Sequence, residues 1–243
     1  MKVLVISDLH YEKVFHKGVD EPKAWEWLLS IVDYHKPDLL ISLGDWGYDI
    51  NSAEFYELLK RVRVWSIYGN HDNLEVLKSL YNVAAGRFEP VLMGDGEVRE
   101  FSGLEFGGIN GIVALRRKER KGVPRKLPDE YVGIAKSLKG KIDILLLHDS
   151  PRLPLPEYAN IADDERTRAV ESAVREANPK IIFCGHLHIS PYSIYRYEHG
   201  TLYIRVDSSQ VSRHYLVVHV NSGMVTGIEI WRDVDKVFSQ SMS

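Results

Sequence analysis

Five short polar clusters recur along the sequence, each holding residues able to bind metal or move a proton. They are Asp8 and His10 in SDLH, Asp45 in GD, Asn70 to Asp72 in GNHD, the lone His148, and His186 with His188 in GHLH. Asp8 and Asp45 offer carboxylates, Asn70 a carbonyl, and the histidines imidazoles, with no thiolate among them. That donor set suits a borderline divalent ion such as Mn²⁺, Fe²⁺ or Zn²⁺. It has too many donors for one tetrahedral site and enough for two ions that share a ligand. Two ions roughly 3.5–4 Å apart clamp phosphorus for in-line displacement. Taken singly, a DxH or a GD reads as a turn or a cap, because aspartate and glycine are turn residues. Five such clusters in succession, holding five of the ten histidines, read as a site.

Each cluster sits where an apolar run stops. KVLVIS over 2–7 precedes Asp8, DLLISL over 38–43 precedes Asp45, and VRVWSIY over 62–68 precedes Asn70. IDILLL over 142–147 precedes His148, and KIIFC over 180–184 precedes His186. Such runs read as buried strands. Between them, 21–36 carries Ala24, Trp25, Leu28, Leu29, Ile31 and Val32 at helical spacing and is closed by Pro37. Further helices are expected over 52–61, 73–80, 129–138 and 163–177, the last capped by Asp163 or Asp164. Strand-like pieces stand at 97–101 and 104–109. From 192 onward only strands are read: YSIYRYE and TLYIRV flank a His199-Gly200 turn, then come HYLVVHV and VTGIEIWR. This pattern predicts a mixed α/β layer structure, with the later strands extending a sheet or building a second one. No repeat or linker divides the chain, so one domain over 1–243 is expected. Open α/β sheets bind ligands just outside the carboxyl ends of their strands. Five strand ends then deliver their side chains to one crevice.

Composition narrows the partners. With 31 basic and 34 acidic residues the formal charge is -3, so any polyanion contact must come from a local patch. A single cysteine, Cys184, excludes an internal disulfide and a cysteine-rich zinc module. The opening MKVLVISDLH is too short an apolar run for a signal peptide, and no run reaches membrane-spanning length. A cytoplasmic protein is expected, and no obligate protein partner is evident.

The ordered set DxH, GD, GNH[DE], lone His and GHxH resembles that of the calcineurin-like metallophosphoesterases, from Asp8 to His188. The resemblance implies an α/β fold, a four-layer αββα sandwich of two mixed β-sheets flanked by helices. It implies two divalent metal ions, manganese foremost, with iron, zinc, nickel or cobalt as other choices. Asp8, His10 and His188 would hold the first, Asn70, His148 and His186 the second, and Asp45 would bridge them. His71 would stand over the substrate phosphate as the general acid, with Asp72 orienting its ring. The implied reaction is direct hydrolysis by a metal-bridging hydroxide, without a covalent phospho-enzyme. This division has chemical sense, since ligands must stay deprotonated whereas a general acid must be free to titrate.

Two details depart from the family pattern. GDWGYD puts Tyr48 where many relatives carry an acid, with Asp49 one residue later and its role open. Asp149 follows His148 where a small residue or proline is commoner, and reads equally as a partner to an imidazole or a turn cap. GNHD, together with the absence of a GDxVDRG block, places the chain nearer the phosphodiesterases than the protein phosphatases. A phosphomonoesterase, a nuclease, or a non-catalytic scaffold like the retromer subunit are the alternatives. A scaffold need not keep every ligand, and here all seven are present. The insert LRRKERKGVPRKLP over 115–128 has seven basic residues and one acid. It reads either as a solvated loop or as a flap that grips a further phosphate of a nucleotide or nucleic acid. Tyr11 and Trp46 directly follow ligands and stand open between substrate contact and core. Trp25, Trp27 and Cys184 read as core, and His214 stands as a distant candidate for the site.

Overall fold

A computed structural model describes residues 1–16, 19–84 and 87–242. Its framework is a pair of six-stranded sheets. In the first, the order across the sheet is Asp235–Ser241, Met224–Arg232, His214–Asn221, Lys2–Ile6, Leu39–Ser42 and Arg63–Ser66. The last three run parallel and the first three antiparallel, with Val3 between Val218 and Leu39. In the second, the order is Tyr192–Arg196, Leu202–Val206, Ile181–Cys184, Ile144–Leu147, Leu104–Ile109 and Val98–Phe101. The middle four are parallel and the outer two antiparallel.

The strands are apolar throughout because both faces of each sheet are covered. Val3, Val5, Leu39 and Ile41 point into the space between the sheets, where they meet Ile144, Leu146, Ile181 and Phe183. Their neighbours Leu4, Ile6 and Leu40 point the other way, onto Trp25 and Leu28 of the helix Lys23–His35 and Phe55 of the helix Ser52–Leu59. On the far side, Leu145, Leu147, Ile182 and Cys184 pack on the helices Pro128–Leu138 and Glu165–Ala177. Three apolar cores separate four layers, which is the αββα sandwich expected from the sequence. Among the described residues, no helix is long and apolar enough to cross a membrane.

Local signals end the helices where the sequence places them. Lys36 adopts a left-handed conformation before Pro37, and Asp164 caps the helix Glu165–Ala177 by accepting from the N–H groups of Arg166 and Thr167. Trp25 and Trp27 are buried. His35 is a core residue beside the Tyr215 hydroxyl at 2.9 Å, and burial pushes its pKa down to about 4. One strand of the two six-stranded sheets escaped the sequence reading, as did the short two-stranded sheets such as that of Tyr81–Ala84 with Arg87–Pro90. Asp235–Ser241 is an exposed edge strand with alternating polar residues, so it carries no apolar run.

Candidate dinuclear metal centre

Seven parallel strands, three in the first sheet and four in the second, end on one side of the sandwich, and each is followed by a polar residue of the centre or its support. Asp8 follows Lys2–Ile6, Asp45 follows Leu39–Ser42, and Asn70 and His71 follow Arg63–Ser66. His148 follows Ile144–Leu147, and His186 and His188 follow Ile181–Cys184. The two sheets are tied together here, since Asp8 Oδ2 accepts from the N–H of His186 at 2.8 Å and Ser7 O accepts from that of Ser208 at 2.9 Å.

The backbone is bent to aim these groups. Asp8, His10, Asp45 and His186 all have positive φ, at 58°, 50°, 57° and 70°. That region costs a non-glycine residue roughly 1–2 kcal/mol. Such outliers cluster where a side chain must be re-aimed. Two glycines make the close approach possible. A Cβ on Gly69 would lie 2.2 Å from Asp45 Oδ1 and 2.5 Å from His148 Nε2, and one on Gly185 would lie 1.7 Å from Ser7 Oγ.

Two groups of donors result. The ligand atoms of Asp8, His10 and His188 lie within 4.8 Å of one another, as do those of Asp45, His148 and His186. Asp45 faces both groups, with Oδ2 3.5 Å from His148 Nε2 and 3.8 Å from His10 Nε2. Its Oδ1 accepts from the N–H groups of Asn70 and His71, both at 2.6 Å, and so fixes the GNHD loop against the centre. His148 donates from Nδ1 to Leu43 O at 2.8 Å, which leaves Nε2 turned to Asp45.

The donor set fits divalent cations on a direct observation. Asp8 Oδ1, Asn70 Oδ1 and His148 Nε2 are buried without a hydrogen-bond partner. Buried polar atoms left so are costly, on the order of 1–3 kcal/mol each. Three of them among seven clustered donors call for cations.

The electrostatics agree. Burial alone would push the His148 pKa down, yet the Asp45 carboxylate beside it raises it to about 10. The hydrogen bond to Asp207 raises His188 to about 9. Burial would raise Asp45, but His148 and its neighbours hold it well below the carboxylate range. The field at the centre favours positive charge.

His71 belongs to neither group. Its ring is half-buried and stands edge-on to His10, with centroids 5.4 Å apart, and tilted against Tyr48 at 5.6 Å. The expectation that Asp72 orients this ring is corrected by the structure. Asp72 is fully buried and accepts from the N–H groups of Asp45 at 2.9 Å, Gly69 at 2.6 Å and Trp46 at 2.8 Å. Three peptide groups converge there, so the carboxylate clasps the GD and GNHD loops together and gives the imidazole no hydrogen bond. Asp49 also turns away, accepting from the N–H of Lys13 at 2.6 Å. The side chain beside His71 is Tyr48, whose hydroxyl donates to Asn70 O at 3.2 Å.

Asp149 takes the turn-cap part, and makes no hydrogen bond to an imidazole. It accepts from the N–H groups of Val113 and Ser150, and stands 4.0 Å from His186 Nε2. Tyr11 and Trp46 resolve as core. The Tyr11 hydroxyl donates to Glu54 and the Trp46 indole to Ser66, both away from the centre. His214 is engaged with Ser212 and does not enter the site.

One contributor was missed in the sequence. Asp207 follows the strand Leu202–Val206 and accepts from His188 Nδ1 at 3.0 Å. The signal was present, an apolar run ending in a donor residue, as at the five clusters. It went unread because the acid stands alone in VDSS. Asp207 fixes the tautomer of His188 so that Nε2 is free to bind. An Asp207→Asn protein is therefore expected to bind one of two ions about 10- to 100-fold more weakly, with the other little changed. The asparagine cannot both accept from His188 and keep the N–H of Ser209 satisfied. Competition with a fluorescent chelator measures this, and two unchanged affinities would refute the role.

The sequence model of the calcineurin-like phosphoesterase family matches residues 1–190. No curated protein matches the chain. Among solved structures, TT1561 of Thermus thermophilus is similar with a TM-score of 0.64 at 12% identity, covering 96% of this chain and 98% of that one. A dimetal phosphatase from Danio rerio gives 0.62 at 11% identity, covering 100% and 99%. GAP50, the anchor in the inner membrane complex of Plasmodium, gives 0.55 at 10% identity, covering 100% and 88%. At these identities the likeness is one of fold. The family match spans all five clusters, and with it the chain belongs to the calcineurin-like phosphoesterases.

Proposed function

We propose that this protein is a hydrolase of phosphodiesters that works with two divalent ions, manganese foremost. Asp8, His10 and His188 would hold one, Asn70, His148 and His186 the other, with Asp45 shared between them. The observation that carries this reading is the pair of donor groups facing one carboxylate, lined by three buried atoms without partners. Bound there, such a pair supplies an acidified water near neutral pH and positive charge against the nonbridging phosphate oxygens.

The chain supplies the rest. Asp45 and Asp72 fix the GNHD loop through its peptide N–H groups, which sets His71 beside the centre without engaging its ring. His71 gives a proton to the departing oxygen. Burial lowers its proton affinity, with Asp45 opposing, so the ring carries its proton best when an anionic ester is bound. In the overall reaction the oxygen of water bonds to phosphorus and the bond to the leaving oxygen breaks. One proton reaches that oxygen through His71, and the other is released as the product monoester ionises.

A diester carries a second substituent on phosphorus, and a cavity beside the centre can receive one. The cavity, of about 310 Å³, opens against His10 and His188, lined also by Leu9, Val19, Gln210 and Val211. The test is hydrolysis of bis-p-nitrophenyl phosphate against p-nitrophenyl phosphate, with Mn²⁺, Ni²⁺, Zn²⁺ and Mg²⁺ in turn. A kcat/KM at least about tenfold higher for the diester, a difference of about 1.4 kcal/mol, is expected. Preference for the monoester would reverse the substrate class, and no turnover with both ions bound would favour the scaffold reading.

A further inference from the structure

The segment 115–128 is a built element rather than a loose loop. Glu119–Arg120 and Val123–Pro124 pair antiparallel, and Lys121 and Gly122 between them have φ of 52° and 77°. Positive φ at both central residues is what a tight two-residue hairpin turn requires. The base of the hairpin is rooted in the protein. Val113 bridges to Lys126, and the Lys126 ammonium pairs with Asp95 at 3.0 Å and donates to Asn110 O at 2.6 Å. Val123 is buried in the core that also holds Trp46 and Leu74.

The charges it presents are largely uncompensated. Arg117 pairs with Glu130 and Lys126 with Asp95. Among the described residues, Arg116, Lys118, Arg120 and Lys121 have no carboxylate at ion-pair distance, in a chain whose net charge is -3. Like charges held together on a fixed hairpin repel one another and raise the local positive potential. The arrangement is expected where an anion is to be received.

The tip stands beside the candidate general acid. The Lys121 ammonium lies 3.7 Å from the centroid of the Tyr48 ring, and that ring lies 5.6 Å from His71. The Arg120 charge acts on both Tyr48 and His71. A proton donor marks the side on which the leaving group departs, so the hairpin overlooks the leaving group.

We infer that this hairpin is a phosphate-binding arm, and that the substrate is an oligonucleotide-class phosphodiester whose next phosphate on the leaving side is held by Arg120 and Lys121. The inference rests on the diesterase reading and names its substrate class. It explains why Arg120 and Lys121 stand at the tip, with Lys121 over the Tyr48 ring that neighbours His71.

The test uses the full chain and an Arg120→Gln/Lys121→Gln double variant. Binding of a fluorescent ten-residue oligothymidylate is followed by anisotropy in chelator over a range of salt, and turnover with Mn²⁺ is followed on the same oligonucleotide and on bis-p-nitrophenyl phosphate. The double variant should bind at least about tenfold more weakly at low salt. Its log–log salt slope should fall by about 0.7, since a single strand loses about 0.7 per phosphate contact and the pair holds one phosphate. The ratio of kcat/KM for the oligonucleotide to that for the small diester should drop at least about tenfold. Unchanged oligonucleotide affinity and salt slope would overturn the arm, as would an equal loss on both substrates. Should the wild-type protein hydrolyse neither substrate, the diesterase reading fails, while the anisotropy measurements still decide the hairpin.

Discussion

An Asp45→Asn protein is expected to lose at least about 10³-fold in affinity for divalent metal, and to lose hydrolysis with it. The carboxylate faces both donor groups, at 3.5 Å from His148 Nε2 and 3.8 Å from His10 Nε2. Two unit charges 4 Å apart interact by about 4 kcal/mol at an effective dielectric of 20, which is a factor of about 10³. A divalent ion at bonding distance has more at stake. Asparagine is the informative replacement because its carbonyl can still accept from Asn70 and His71, which Oδ1 of Asp45 does at 2.6 Å. Alanine would orphan those two N–H groups and add a cost of about 1–3 kcal/mol each in stability, confusing two effects. Metal equivalents after equilibrium dialysis, read by mass spectrometry, check the prediction. Two equivalents retained at wild-type affinity would remove Asp45 from the centre.

His71→Ala should behave in the opposite way, keeping both ions and losing rate. General acid catalysis contributes about 10²–10⁴-fold, and that is the loss expected on esters with poor leaving groups such as alkoxides. On a p-nitrophenolate ester the loss should be small, because that leaving group departs without a proton. The ring lies outside both donor groups and makes no hydrogen bond with Asp72, so its removal leaves the ligands in place. Rates measured over a series of leaving groups of increasing pKa should fall away from wild type steadily. A uniform loss across the series, or a rate that merely tracks metal content, would show His71 to be a ligand or a support.

Much of this was legible in order along the chain. Asp8, Asp45, Asn70, His148 and His186 each follow a run whose apolar character comes from burial on both faces of a sheet. Such runs, and the polar residue that ends them, are local facts. Asp207 obeys the same rule and was passed over because one acid in VDSS has no second donor beside it. Tyr48 stood out only as a departure from the family pattern, which does not say that its ring lies next to that of His71. Tyr11 and Trp46, which directly follow ligands, prove to be core. The basic hairpin was visible as composition, but not as a fold. Its rooting depends on Val123 and Lys126 finding Trp46's core and Asp95.

The sequence alone determined the donor types, their count and their delivery at strand ends, because burial on both faces writes each of these strands as a short apolar run. Tertiary structure decided which donors meet. Asp8 reaches the His186 peptide across 178 positions, and the docking of two sheets sets that distance. The pairing of Leu39–Ser42 with Arg63–Ser66 turned Asp72 onto three peptide N–H groups instead of His71, since buried N–H groups must be satisfied wherever loops converge. Packing of the basic hairpin also brought Lys121 over Tyr48. No local rule fixes such pairings, because each depends on how separate elements pack.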